Sequence, residues 1–312
     1  MLRKIFIITL LIALLSACAP QASRTPATVP ATTVTFPMSF MDGLGRKINL
    51  EQAPQRIVSL APSNTEILFA IGAGKQVTGR DQLSDFPEEA KSLTDIGSTF
   101  DALNTEKIVS LKPDLVLAAE INTPEQVKQL ENLGLTVYYL KNPATVEEMY
   151  KNLEIVAQLT GHEQEAATLI DSLKKRVAAV DAKIVPISSR PNVFYELDAT
   201  DPAKPYTAGK GTFITQLIER AGAHNIAADL DGYPQMSLEQ VVAANPDFII
   251  LGDARYGVSP ESIAKRPGWE NLNAVKNGKV MPFNDDLVSR PGPRLVDALE
   301  ELAKLLHPEV LK

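Results

Sequence analysis

Two stretches of this chain match each other at a fixed offset, and that match constrains the fold more than any other feature. Asn104-Thr-Glu-Lys-Ile-Val-Ser-Leu-Lys-Pro-Asp-Leu-Val-Leu117 aligns with Ser237-Leu-Glu-Gln-Val-Val-Ala-Ala-Asn-Pro-Asp-Phe-Ile-Ile250. Glu106 matches Glu239, Val109 matches Val242, and Pro113-Asp114 matches Pro246-Asp247, each pair 133 residues apart. Each copy reads as a short helix, a Pro-Asp break and a buried strand. Such units recur by chance in any α/β protein, but their matched register favours a structural duplication of two lobes, each a sheet covered by helices.

The rest of the chain fits that alternation. Phe40 to Leu50 places apolar residues around a Gly-rich turn, the signal for a hairpin. Arg56 to Leu60 reads as a strand that stops in a loop at Pro62-Ser-Asn-Thr-Glu66 and passes into a helix at Ile67. Gln126 to Leu133 and Val137 to Leu140 continue as helix and strand. Residues 146 to 184 are helical in period with an interruption at Thr160-Gly161, and Ala166, Leu169, Ile170, Leu173, Val177 and Val180 share one face. A long helix here could join the halves like a strut. Asn192 to Leu197 opens the second half, and Pro291 to Leu306 closes the chain with an amphipathic helix. The expected lobes are therefore residues 38–159 and 187–312, with the joining helix in 160–186.

The N-terminus carries an address. Arg3 and Lys4 precede an apolar run from Ile5 to Leu15, too short to span a bilayer, which predicts a signal peptide over residues 1–17. It ends in Leu15-Ser-Ala-Cys18, which resembles the bacterial lipobox, and Cys18 is the only cysteine of the 312 residues. The expectation is a lipid anchor on the Cys18 thiol, holding an exported protein on the membrane facing the periplasm or cell exterior. Residues 18–37, rich in Pro, Ala, Thr and Ser, read as a flexible linker.

Composition removes several classes. With 45% hydrophobic residues the body has ample apolar material for two cores, and disorder is a poor reading. Against 38 acids there are 31 Lys and Arg, a formal charge of -7, so a phosphate-tracking nucleic-acid surface has no electrostatic basis. One cysteine excludes a disulfide framework and a Cys-based zinc site. Gly72-Ala-Gly74 lacks the third glycine of a dinucleotide fingerprint and reads as a helix C-cap. Lys204 to Gly211 lacks the first glycine of a phosphate loop and has no Ser or Thr after its Gly-Lys. His162, His224 and His307 fall in separate elements, each expected at the surface, and no nucleophile elbow occurs. No catalytic residue, resident cofactor or metal site is expected, and a secreted hydrolase stays a distant alternative.

From Gln55 to Pro308 the chain resembles the substrate-binding proteins of ATP-driven metal-chelate importers, most closely the cobalamin-binding branch. The resemblance is carried by Arg56-Ile-Val-Ser-Leu-Ala-Pro-Ser-Asn-Thr-Glu66, Ser84-Asp-Phe-Pro87, Glu106-Lys-Ile-Val-Ser-Leu-Lys-Pro-Asp-Leu-Val116, Pro205-Tyr-Thr-Ala-Gly209, Tyr233-Pro-Gln-Met-Ser-Leu-Glu239 and Ser289-Arg-Pro-Gly-Pro-Arg294. It implies an α/β fold of two Rossmann-like lobes joined by a single long backbone helix, the class III periplasmic-binding-protein fold, with the ligand between lobes that close little. It implies a monomeric, extracytoplasmic component of an ABC importer that captures a corrinoid and delivers it to a membrane permease. A ferric siderophore or haem is the alternative cargo, with Arg290 then meeting an anionic chelate or propionate.

The resemblance also implies two groups of residues. Glu106 and Glu239 would meet permease arginines, a charge-assisted contact that fixes orientation. Either could instead be a first-turn acid behind an N-cap at Asn104 or Ser237. Ser63, Asn64, Leu83 and Phe100, with Ala119, would line the cleft from the first lobe, and Tyr206, Tyr233, Asp286 and Arg290 from the second. The cobalamin pattern carries aromatics where Leu83 and Ala119 stand. Trp269 is as readily a packing residue as a ligand-facing one.

Overall fold

The described residues open with a hairpin whose alternating pattern buries Phe40, Ile48 and Leu50 and leaves their neighbours more open: β1 (Met38–Met41) pairs antiparallel with β2 (Lys47–Leu50). A computed structural model describes residues 35–100 and 102–311. The expected signal peptide, the lipid anchor at Cys18 and the linker up to residue 34 lie outside the described residues.

Beyond the hairpin the strands are short and parallel, and the central ones are apolar. β3 (Ile57–Ser59), β4 (Val77–Arg80), β5 (Thr94–Asp95), β6 (Leu115–Ala119) and β7 (Val137–Leu140) form one sheet in the order β5-β4-β3-β6-β7. Every residue of β3, β6 and β7 is buried, as strands with both faces covered must be. The covering helices are α1 (Pro62–Ala70), α2 (Thr105–Ser110), α3 (Pro124–Asn132) and α4 (Val146–Thr160). α5 (Glu163–Ile184) then leads into the second sheet. There β8 (Asn192–Glu196), β9 (His224–Asn225), β10 (Phe248–Leu251) and β11 (Val280–Pro282) are again parallel, in the order β11-β10-β8-β9. They are covered by α6 (Phe213–Arg220), α7 (Leu238–Ala244), α8 (Pro260–Ile263), α9 (Asn273–Lys276), α10 (Asp286–Ser289) and α11 (Leu295–Leu306).

The duplication has a physical signature. Among the described residues only Lys112 (φ 48°) and Asn245 (φ 42°) are non-glycine residues with left-handed backbone, and they too are 133 residues apart. Each precedes the proline of a Pro-Asp pair, whose ring bars the right-handed helical region and so ends α2 and α7. The aspartates then do matching work. Asp114 accepts the amides of Gln55 (2.8 Å) and Arg56 (2.9 Å) ahead of β3, and Asp247 accepts the amide of Asn192 (3.0 Å) at the start of β8.

α5 packs on α4 on one side and α11 on the other, while α11 also packs on α6. Its buried stripe is Ala166, Ile170, Leu173, Val177, Val180 and Ile184, each larger aliphatic contributing on the order of 1.5–3 kcal/mol of transfer free energy. One apolar cluster therefore runs from Phe40 in the hairpin to Leu306 in α11.

Two expectations are corrected. Pro62 to Glu66 is not a loop but the first turns of α1, because proline at the first helical position loses no hydrogen bond and arrives with helical φ. His307 is buried, not surface-exposed: it ends α11 with Nε2 3.1 Å from the Gly222 carbonyl oxygen.

Candidate interlobe binding cleft

Both parallel sheets end their strands toward one crevice, the place where open α/β sheets hold ligands. Residues at or just beyond the ends of β3, β4, β6 and β7 (Ser63, Leu83, Asp85, Ala119, Asn142) face residues just beyond β10 and β11 (Arg255, Tyr256, Asp285, Asp286, Arg290) around a cavity of about 350 Å3. Five of the sequence-predicted residues, Ser63, Leu83, Phe100, Asp286 and Arg290, line this one cavity, together with Ala119. Leu83 (43% exposed) and Phe100 (58%) are apolar side chains left open to it, and Tyr256 (79%) is the corresponding aromatic of the second lobe. Sequence reasoning missed Tyr256, Arg255, Asp85, Asp285 and Asn142. Their common signal is position, since each follows a parallel strand by a few residues.

Three predicted residues lie elsewhere. Asn64 is fully buried and its Nδ2 donates to the Leu117 carbonyl (3.1 Å), so it fastens α1 to β6 and does not reach the cleft. Tyr206 and Tyr233 are nearly half exposed but outside this cavity, on loops that backbone bonds join to each other. The Thr207 amide donates to the Pro234 carbonyl (2.9 Å) and the Gly209 amide to the Gly232 carbonyl (2.8 Å). A Cβ at Gly209 would fall 2.0 Å from the Leu230 carbonyl oxygen, which explains the glycine of Pro-Tyr-Thr-Ala-Gly. Desolvation, then the charges of Glu120 and Asp285, push the Tyr233 phenol up to about 12, keeping it a neutral hydrogen-bonding group.

Arg290 occupies the cleft floor but is not free. It meets Asp85 (2.6 Å), Asp286 (3.1 Å) and Glu66 (3.5 Å), and is only 7% exposed. Arg294 grips the same Glu66 through two bonds (2.8 and 2.5 Å) and lays its guanidinium 4.1 Å from the Phe86 ring. Glu66, Asp85 and Phe86 belong to the first lobe and both arginines to the second, so the cluster ties the lobes together. Burial raises the Glu66 pKa even against both arginines. Arg255 in turn pairs with Asp286 (2.6 Å). Every arginine lining the cavity is thus matched by a carboxylate.

Glu106 and Glu239 both stand exposed in the first turns of α2 and α7. The capping is done by others: Asn104 accepts the Lys107 amide (3.0 Å), and Ser237 forms a capping box with Gln240. Val109 and Val242 are also exposed, one turn further on. Trp269 is fully buried edge-on to Phe194, with ring centroids 5.9 Å apart, and packs the second core.

Residues 57–287 match the family model of periplasmic binding proteins. The chain belongs to this periplasmic binding protein family. Its members are solute-binding proteins, not enzymes. Over 304 residues the binding protein is 36% identical to an ABC transporter substrate-binding lipoprotein of Bacillus subtilis, covering 96% of this chain and 95% of that one. Over 286 residues it is 32% identical to a cobalamin-binding protein of Halobacterium salinarum, covering 88% and 75% respectively. Its fold matches the periplasmic vitamin B12 binding protein of Vibrio cholerae with a TM-score of 0.71 and 29% identity, over 82% of this chain and 97% of that one. It matches a periplasmic haem-binding protein of Roseiflexus with a TM-score of 0.73 and 30% identity, over 82% and 99%. Among the described residues, no helix of the binding protein is long and apolar enough to cross a membrane.

Proposed function

We propose that this protein is the extracytoplasmic substrate-binding component of an ABC importer, anchored through Cys18, that takes a corrinoid into the interlobe cleft and hands it to a membrane permease. The observation that carries the choice of ligand is the charge pairing of the cleft. Arg255 and Arg290 are both engaged by carboxylates, so the lining offers apolar walls at Leu83, Phe100 and Tyr256 and no spare cation. A corrin ring with neutral amides at its rim suits such walls, whereas haem propionates or an anionic ferric chelate would need an unpaired arginine. Ser63, Leu83, Phe100, Tyr256 and Asp286 form the proposed contact set, with Tyr206 and Tyr233 at the second-lobe rim. The names of the Halobacterium and Vibrio proteins support the same ligand class.

Haem is the second reading, because an exposed phenol at Tyr256 could serve as an axial iron ligand. Isothermal titration of the mature protein with cyanocobalamin, haem and a ferric hydroxamate separates the two. Cyanocobalamin is expected to bind most tightly; a protein that prefers haem, or ignores the corrinoid, overturns the proposal.

A further inference from the structure

Beside the cleft, the carboxyl ends of β8 and β10 enclose a second cavity of about 340 Å3, lined by residues 197–200, Asp253, Tyr256 and Val258. Tyr256 lines both cavities, so the two are neighbours across one exposed aromatic ring. The side chamber holds an anomaly. Asp253 is only 3% exposed, yet neither carboxylate oxygen has a hydrogen-bond partner. Among the described residues the other fully buried acids are served: Asp42 by Arg46, Glu66 by Arg294, Asp81 by Ser84 and Glu196 by Arg266. The amides of Asp253 itself and of Ala199 favour its charged form without making a formed hydrogen bond, and Arg266 is already committed to Glu196. A buried carboxylate left in this state costs free energy that an incoming N–H donor would recover.

We infer that this chamber is a subsite that reads the rim of the ligand, accepting an arm that ends in a primary amide, with Asp253 as its acceptor and Tyr256 as the wall between arm and ring. The inference rests on the corrinoid reading and sharpens it. Asp198, Thr200 and Asp253 supply oxygens and the lining contains no cation, so an amide is accepted where the corresponding carboxylate is repelled. Burial, then the nearby Glu196 charge, push Asp253 up to about 7, so about half of it is ionised at pH 7 and it becomes mainly an acceptor as pH rises toward 8, where the titrations are run.

The test is titration calorimetry with two probes that share the corrin ring and lack the nucleotide, dicyanocobinamide with amides at its rim and dicyanocobyrinic acid with carboxylates. Wild type should prefer the amide probe by at least about tenfold, and Asp253→Asn should cut that preference by about tenfold or more, chiefly by admitting the acid. Asp198→Asn, at an exposed position that lines this chamber and not the main cleft, should lower the amide preference several-fold and keeps the test open if Asp253→Asn fails to fold. A wild type that binds neither cyanocobalamin nor cobinamide overturns the corrinoid reading itself. If wild type binds cobinamide and both variants keep its affinity and preference, the chamber's role alone is overturned.

Discussion

At the residue scale, a carboxylate held away from water without a partner trades stability for something else, and Asp253 is the case in point. Its folded pKa of about 7 lies above the 3.8 of the free side chain, so the folded form binds the proton more tightly. The stability this group lends is present at low pH and lost as pH rises from about 4 to about 7, a window of on the order of 4 kcal/mol at most. Asp253→Asn should therefore melt higher than wild type at pH 8 and lose that advantage at pH 4.5. Calorimetry at both values checks this, and an advantage that does not grow with pH would contradict it. A second prediction concerns Gly209, where an added Cβ collides with the Leu230 backbone. Gly209→Ala should cost about 2 kcal/mol or more in urea unfolding and disturb both tyrosine loops.

Leu83, Phe100, Asp286 and Arg290 were reached through the family resemblance, and all four line the cleft cavity. Tyr256 and Asp253 were not reached, because Gly252-Asp-Ala-Arg-Tyr-Gly257 has no periodicity and forms a single 3-10 turn. Arg290 was found, but its partners Glu66 and Asp85 lie over 200 residues away in the chain, and nothing local announces that they neutralise it.

At the element scale, α2 and α7 are the same device used twice. Each is capped by its own Asn or Ser, stopped by a left-handed residue before proline, and leaves a glutamate and a valine exposed at matching positions. The helix-start amides are capped by Asn104 and Ser237, and although Ser237 also bonds the Glu239 carboxylate, both glutamates stay exposed, so their charge is available to a partner. The double variant Glu106→Lys/Glu239→Lys should abolish uptake of labelled cyanocobalamin in cells while changing ligand affinity less than about twofold. Unaltered uptake, or lost affinity with a lowered melting point, would show these acids to be structural. β3, β6, β7 and β10 were readable because a fully buried strand is a continuous apolar run, whereas β4, β5 and β9, which are short and partly polar, were not, and neither was the start of α1, since Pro62 punctuates a loop and a helix start alike.

At the scale of the whole molecule, one apolar cluster and one ionic cluster join the lobes. The apolar path runs through α4, α5 and α11, and the ionic one links Glu66 and Asp85 to Arg290 and Arg294. Glu66→Ala would leave the largely buried Arg294 guanidinium without its carboxylate, while Arg290 keeps Asp85 and Asp286, which should cost about 3 kcal/mol in denaturant unfolding. Glu66→Gln, which keeps the shape, should cost less. With both ties present the cleft is largely formed before ligand arrives, and binding should protect its two walls together. Hydrogen–deuterium exchange with and without cyanocobalamin tests that account most directly. It predicts added protection in residues 81–86 and 98–103 of the first lobe and in 254–258 and 284–291 of the second; protection confined to one lobe, or none, would contradict it.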